Sequence, residues 1–148
     1  ALPDGRGGEK KMMISTRGRY ALRVMLDLAS QEKEEYVSLA DVAKRQEISL
    51  KYLESIMAAL FKAGLVESRR GKKGGYRLAE DPGRCTVLKV LEAAEGSLAS
   101  VACGGEECPR REKCLTLPFW RELDGVIDGY LQSVTLADIL CGRASRTE

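Results

Sequence analysis

The stretch SLKYLESIMAALFKAGLVESRRGKKGGYRL, Ser49 to Leu78, decides the fold. Leu53, Ile56, Met57, Leu60 and Phe61 recur at i, i+3, i+4, i+7 and i+8, the spacing of an amphipathic helix with one buried face. Ser49 stands where a helix N-cap is wanted, and Gly64 where a left-handed residue closes the C-terminus. Two short β-like pieces follow, Leu65–Arg69 and Tyr76–Leu78, around the Gly-rich basic tip Arg70–Gly75. That pattern predicts a β-hairpin directly after a helix.

Upstream, Ser38-Leu-Ala-Asp41 has the form of a capping box opening a short helix with Leu39, Val42 and Ala43 inward. Gln46-Glu47-Ile48 makes the tight turn to the next helix. Further upstream, Tyr20, Ala21, Val24, Met25, Leu28 and Ala29 give a helix over Arg17–Ser30. Two helices joined by a tight turn, with a supporting helix before and a hairpin after, form a winged helix-turn-helix. The expected class is mainly α with a small β-hairpin, extended by a long C-terminal dimerisation helix.

Downstream, Asp81-Pro82-Gly83 signals a turn and Thr86–Ala94 a short amphipathic helix. A cysteine-rich stretch without periodicity comes next. A long helix then spans about Pro118–Gln132, with Phe119, Trp120, Leu123, Val126, Ile127, Tyr130 and Leu131 on its apolar stripe. So aromatic a stripe in a small protein calls for a partner, and the same helix of a second subunit supplies one economically. Thr135-Leu-Ala-Asp138 caps a last short turn. The expected organisation is a disordered leader or cloning remnant (1–11), a winged helix-turn-helix DNA-binding domain (12–80), a connecting helix with a cysteine-rich sensor loop (81–116), a dimerisation helix (117–141) and a tail (142–148).

With 148 residues, 31% charged and 44% hydrophobic, the chain reads as globular. A net charge of +2 does not by itself announce a nucleic-acid partner, but its distribution does. Between Glu67 and Arg77, the cations Arg69, Arg70, Lys72, Lys73 and Arg77 face one acid, Glu67. Glycines at 71, 74 and 75 let the backbone approach a phosphate, and an Arg at such a tip can enter a narrow minor groove. Ser49, Lys51, Tyr52, Glu54 and Ser55 occupy the N-terminal, outward side of the third helix, the end that recognition helices present to base edges. Arg17 and Arg19, ahead of the first helix, are placed for backbone phosphates. No apolar run approaches the ~18 residues of a membrane span, so the expected setting is cytoplasmic, with double-stranded DNA as partner and no membrane.

There is no histidine, which removes His-based acid–base catalysis and every His-containing metal site. No enzyme is expected. Of five cysteines, Cys103, Cys108 and Cys114 lie on one Gly-containing loop that can wrap several sulfurs around a single centre. Soft thiolates select zinc, copper(I) or iron–sulfur clusters. A fourth ligand is open: a carboxylate such as Glu106, Glu107 or Glu112, another cysteine, water, or a residue of a second subunit. Thiol oxidation without any metal is an alternative, as is an electron-transfer protein. Cys85 and Cys141 are expected to be ordinary cysteines.

Ile14-Ser-Thr-Arg-Gly-Arg-Tyr-Ala-Leu-Arg23, Ile48-Ser-Leu-Lys-Tyr-Leu-Glu54 and Lys62-Ala-Gly-Leu-Val66 resemble the N-terminal half of Rrf2 family regulators. Arg70-Gly71 with Gly74-Gly75-Tyr76 resembles their wing. The three cysteines, Trp120 and Thr135-Leu-Ala-Asp138 are similar to their C-terminal half, so the match covers about residues 12–140. The resemblance implies a homodimeric regulator or repressor binding palindromic operator DNA, with Ser49, Lys51, Tyr52 and Arg70 at the DNA. In cluster-bearing members three loop cysteines hold an iron–sulfur cluster, 2Fe–2S or 4Fe–4S, which makes Cys103, Cys108 and Cys114 the implied ligands. The fourth ligands of such members, a histidine three residues after the third cysteine or an aspartate before the Ala-Leu-Arg of the first helix, correspond here to Leu117 and Arg19. Other relatives respond to cysteine metabolism without a cluster, leaving room for a protein or small-molecule effector.

Overall fold

Ser15 opens the first helix: its extended backbone sets the entry, and its hydroxyl accepts from Gly18 N. In the computed structural model, which describes residues 14–101 and 108–142, this helix, α1, runs Thr16–Ala29. Arg17 and Arg19 therefore belong to its first turn rather than preceding it, because the cap falls at Ser15. Helix α2 (Leu39–Gln46) is capped by Ser38, and Glu47 in the left-handed region (φ 55°) turns the chain sharply toward Ser49. Helix α3 (Leu50–Lys62) is capped by Ser49 and followed by Gly64 at φ 77°, a conformation a side chain would strain.

The hairpin pairs β1 (Val66–Arg69) with β2 (Gly75–Leu78) antiparallel, Val66 opposite Leu78 and Arg69 opposite Gly75. A third piece joins it: Val37 and Tyr76 exchange both backbone hydrogen bonds at 2.8 Å. The wing is thereby tied to the lead-in of α2, a pairing that a single residue cannot signal by periodicity. The paired glycines explain themselves here. A Cβ on Gly74 would stand 2.2 Å from Arg69 O, and one on Gly75 2.1 Å from Val37 O.

Helix α4 (Val87–Glu95), capped by Thr86, returns across α1. The long C-terminal helix expected over about Pro118–Gln132 is α5 (Leu117–Ser133), and the short turn expected after Thr135 is the five-residue α6 (Leu136–Leu140). They are separate because Val134 is extended and Thr135 opens a complete capping box with Asp138. An isolated Thr86–Thr135 bridge, with Val87 N on Val134 O and Leu136 N on Cys85 O (both 2.9 Å), fastens this end of the chain to the root of α4.

The core gathers Ala21, Val24, Met25 and Leu28 of α1 against Val42 of α2 and Leu53, Ile56, Met57 and Leu60 of α3. Each of these Val, Leu, Ile and Met side chains contributes about 1.5–3 kcal/mol on leaving water. A smaller cluster of Val87, Leu91, Leu98 and Val134 joins α4 to the C-terminal end of α5. Phe61, expected on the inward stripe, is 53% exposed. Eight residues beyond Leu53 it has rotated about 80° around the helix, onto the flank of the stripe.

Among the described residues one charged residue is buried: Asp27 accepts from Arg45 Nε (3.0 Å), Arg45 Nη2 (2.7 Å) and Gln46 Nε2 (2.8 Å). The pair pins the last turn of α2 to α1. Burial alone would raise the Asp27 carboxyl, but the hydrogen bonds from Arg45 and Gln46 and the Arg45 charge outweigh it and hold it below the usual range. Among the described residues no helix is long and apolar enough to cross a membrane.

Candidate DNA interface and cysteine segment

Because α3 buries Leu53, Ile56, Met57 and Leu60, its opposite face is set by geometry. Lys51, Glu54, Ser55 and Ala58 are all exposed there. Ser49 is exposed too, its hydroxyl oxygen accepting from Tyr52 N at 3.2 Å. Tyr52 is half-buried, its ring edge-on to Tyr20 at 5.9 Å, so its ring is shared with the core. The face therefore offers a cation, a carboxylate and hydroxyls on one rigid helix.

At the wing tip Arg70, Gly71, Lys72 and Lys73 are exposed, and among the described residues none of these three cations enters an ion pair. Free cations on a tight turn suit phosphates. The base of the wing differs. Arg77 pairs with Glu67 at 3.0 Å and lies 4.5 Å from the Tyr36 ring centroid, with Arg69 at 5.8 Å from the same ring. Glu67 and the neighbouring tyrosine hold the Arg77 guanidinium above its ordinary value. Tyr36 was not visible as a wing residue in the sequence, where it follows a polar run. A basic strand pair two helices downstream was the only signal.

Arg17 is engaged within the chain. Its Nη1 donates to Ser55 Oγ (2.9 Å), Nη2 to Ser55 O (3.1 Å) and Nε to Ala94 O (3.2 Å). Arg19 is exposed.

Of the cysteine set, Cys103 lies outside the described residues, together with Glu106 and Glu107. Cys108 and Cys114 are described and half-buried, joined by turns in which Cys108 O accepts from Arg111 N at 3.1 Å. Cys114 sits just before α5, its sulfur 3.3 Å from Thr116 Oγ1. The Thr116 hydroxyl, then the backbone amides of Thr116 and Leu117 with the Arg110 charge, lower the thiol from its ordinary value. Cys85 is the opposite case: fully buried, it is pushed up to about 11 by loss of water and the Glu80 charge, with Lys89 opposing. Cys141 is exposed.

Comparison with known proteins agrees with this geometry. The Rrf2 family of iron-dependent transcriptional regulators matches residues 14–142.

The chain belongs to the Rrf2 family. It is 42% identical over 130 residues to the HTH-type transcriptional regulator IscR of Serratia proteamaculans, covering 87% of this chain and 79% of that protein. IscR of Photobacterium profundum is equally identical over the same span, with 76% of its length covered. Among solved structures, T. potens IscR superposes with a TM-score of 0.71 at 36% identity, covering 93% of each chain. CymR, the global cysteine regulator of B. subtilis, gives 0.66 at 34% identity, covering 91% and 98%. The expected class, mainly helical with a winged hairpin, is therefore the observed one, and this Rrf2 protein is a DNA-binding transcriptional regulator rather than an enzyme.

Proposed function

We propose that this Rrf2 regulator works as a homodimer that holds two winged heads at operator spacing and senses iron–sulfur status through Cys103, Cys108 and Cys114. The observation that carries this is α5. It buries no residue within its own chain, leaving Phe119, Val126 and Tyr130 more than half exposed, while its N-cap Thr116 and first residue Leu117 supply the partners of Cys114. An uncovered apolar face thus adjoins a segment whose last thiol is lowered from its ordinary value. A second copy laid against α5 would place two copies of α3 on one duplex, whose half-sites are spaced by about 34 Å or its multiples.

The donor chemistry fits a cluster. Described thiols stand on a turn-rich segment, the chain has no histidine to compete, and soft thiolates are what iron–sulfur clusters take. When bound, the cluster would supply a redox- and iron-sensitive tie across that segment. The protein's own part is to lower the Cys114 thiol from its ordinary value and to join the segment to the start of α5. DNA contacts fall to Ser49, Lys51 and Tyr52 on α3 and to Arg69, Arg70, Gly71, Lys72 and Lys73 on the wing.

Anaerobic purification with visible absorption and iron and acid-labile sulfide analysis tests the sensing role. Matched iron and sulfide, lost in Cys103→Ala, Cys108→Ala and Cys114→Ala, is the expected result; a colourless, iron-free protein refutes it. A second reading is supported by the lowered Cys114 thiol and by the likeness to Staphylococcus aureus CymR in its oxidized form, 32% identical with a TM-score of 0.64 over 84% of this chain and 93% of that one. In this reading the signal to the present chain is thiol oxidation, and a metal-free protein whose DNA affinity follows oxidant would show it.

A further inference from the structure

We propose that Arg17 is a positioning residue for DNA binding: it locks the recognition face of α3 to the end of α4 from which the cysteine segment departs. Its guanidinium spans three helices. Two nitrogens grip Ser55, the hydroxyl at 2.9 Å and the carbonyl at 3.1 Å, and the third holds Ala94 O at 3.2 Å. Ser55 lies on the exposed face of α3 beside Lys51 and Glu54. Ala94 is one residue before Glu95, which ends α4.

The same joint is fastened a second time. One oxygen of Glu95 accepts from Ser15 N (2.8 Å), Ser15 Oγ (2.5 Å) and Gly18 N (3.0 Å), so a carboxylate from α4 caps α1 at its positive end. Gly18 makes room for it, since a Cβ there would meet Glu95 Oε1 at 2.3 Å. The α1 N-terminus and the α4 C-terminus are therefore one rigid piece, and Arg17 is the arm by which that piece holds α3. A planar guanidinium with donors on three nitrogens can satisfy this acceptor set; an ammonium offers one point of attachment.

This rests on the reading that α3 faces DNA, so the test begins with a selection. Duplexes enriched by the native full chain from a random pool provide the specific probe, and a scrambled duplex the non-specific one. Arg17→Ala and Arg17→Lys should each lose at least about tenfold on the selected duplex, with scrambled binding within about twofold. The slope of log affinity against log salt should stay unchanged, because no phosphate contact is removed. Ser55→Ala should lose less, and the double variant no more than Arg17→Ala alone. Hydrogen exchange at residues 94–98 should slow on addition of the selected duplex in the native chain and not in Arg17→Ala.

A slope reduced by about one per protomer, with equal loss on both duplexes, would make Arg17 a phosphate ligand and overturn the proposal. Multiplying losses in the double variant, or exchange at 94–98 indifferent to DNA in the native chain, would overturn it equally. Should Arg17→Ala fail to melt cooperatively, Ser55→Ala decides: a native-like melt with an unchanged ratio of specific to scrambled affinity refutes the role. Failure of the native chain to enrich any duplex would instead strike the DNA-facing reading of α3, and this proposal with it.

Discussion

Helix α3 buries Leu53, Ile56, Met57 and Leu60 within its own chain, whereas α5, with apolar residues at similar spacing, buries none. The neighbours explain the contrast. Helix α3 is enclosed by α1, α2, α4 and β1, while α5 meets α4 along one side and keeps Phe119, Val126 and Tyr130 in contact with water. Periodicity reports that a helix owns an apolar face, and it is silent on whose atoms cover that face. In α3 the cover is local; in α5 we assign it to a second copy.

The sharpest way to break this comparison is a pair of truncations. Leu60→Ala, at a fully buried site, should cost about 2–5 kcal/mol in chemical denaturation. Val126→Ala, 66% exposed in the single chain, should cost under about 0.5 kcal/mol when measured dilute enough to be monomeric. Equal costs would mean that α5 is covered within the chain. Val126→Glu extends the test to association: it should shift sedimentation from dimer to monomer without altering the monomer's circular dichroism.

A smaller effect is expected where α2, the first helix of the helix-turn-helix, is pinned to the supporting helix α1. Arg45→Ala should cost about 2 kcal/mol, less than the ~3–5 kcal/mol of a fully buried pair, since the Arg45 side chain is 40% exposed. The pH dependence has a definite sign. Asp27 is held below its ordinary 3.8 when folded, so its contribution is present above that pH and lost as pH falls through the lowered value. Arg45→Ala should therefore flatten stability below about pH 4; a parallel acid limb in both proteins would refute the assignment. Gly75→Ala, whose new Cβ meets Val37 O in a left-handed backbone, should cost about 1–3 kcal/mol and loosen the wing.

The smallest change is chemical rather than energetic. At pH 8, in the metal-free protein, an alkylating reagent should label Cys114 readily and leave Cys85 untouched until the protein unfolds, because one thiol is lowered and half-buried and the other is fully buried and raised to about 11. Labelling of Cys85 at the rate of Cys114 would show that the region around α4 opens far more easily than its packing implies.

Much of the winged head was legible because its signals are local. Ser38 and Ser49 cap helices within three residues of themselves, as Thr135 does nearer the C-terminus, and each does so in the structure. The basic tip was legible because turn glycines and cations sit side by side in the chain. Arg17 hid its partners in the fold for the opposite reason. Its three acceptors belong to Ser55 and Ala94, far along the chain, and an arginine near a helix start looks the same whether it meets phosphate or carbonyl. The Val37–Tyr76 and Thr86–Thr135 bridges were equally hidden, since one pair of backbone hydrogen bonds leaves no periodic trace.

By itself, then, the sequence determined the order of elements, their caps, the exposed basic wing and the absence of histidine chemistry, all properties set by neighbours a few residues apart. Only the tertiary structure decided that Phe61 lies on the flank, that Asp27 is buried yet ionised by Arg45, and that α5 has no cover of its own. It also decided that Gly74 and Gly75 of the wing are required by Arg69 O and Val37 O. Those facts depend on which distant atoms arrive at a given surface, and close packing fixes that only once the whole chain has folded.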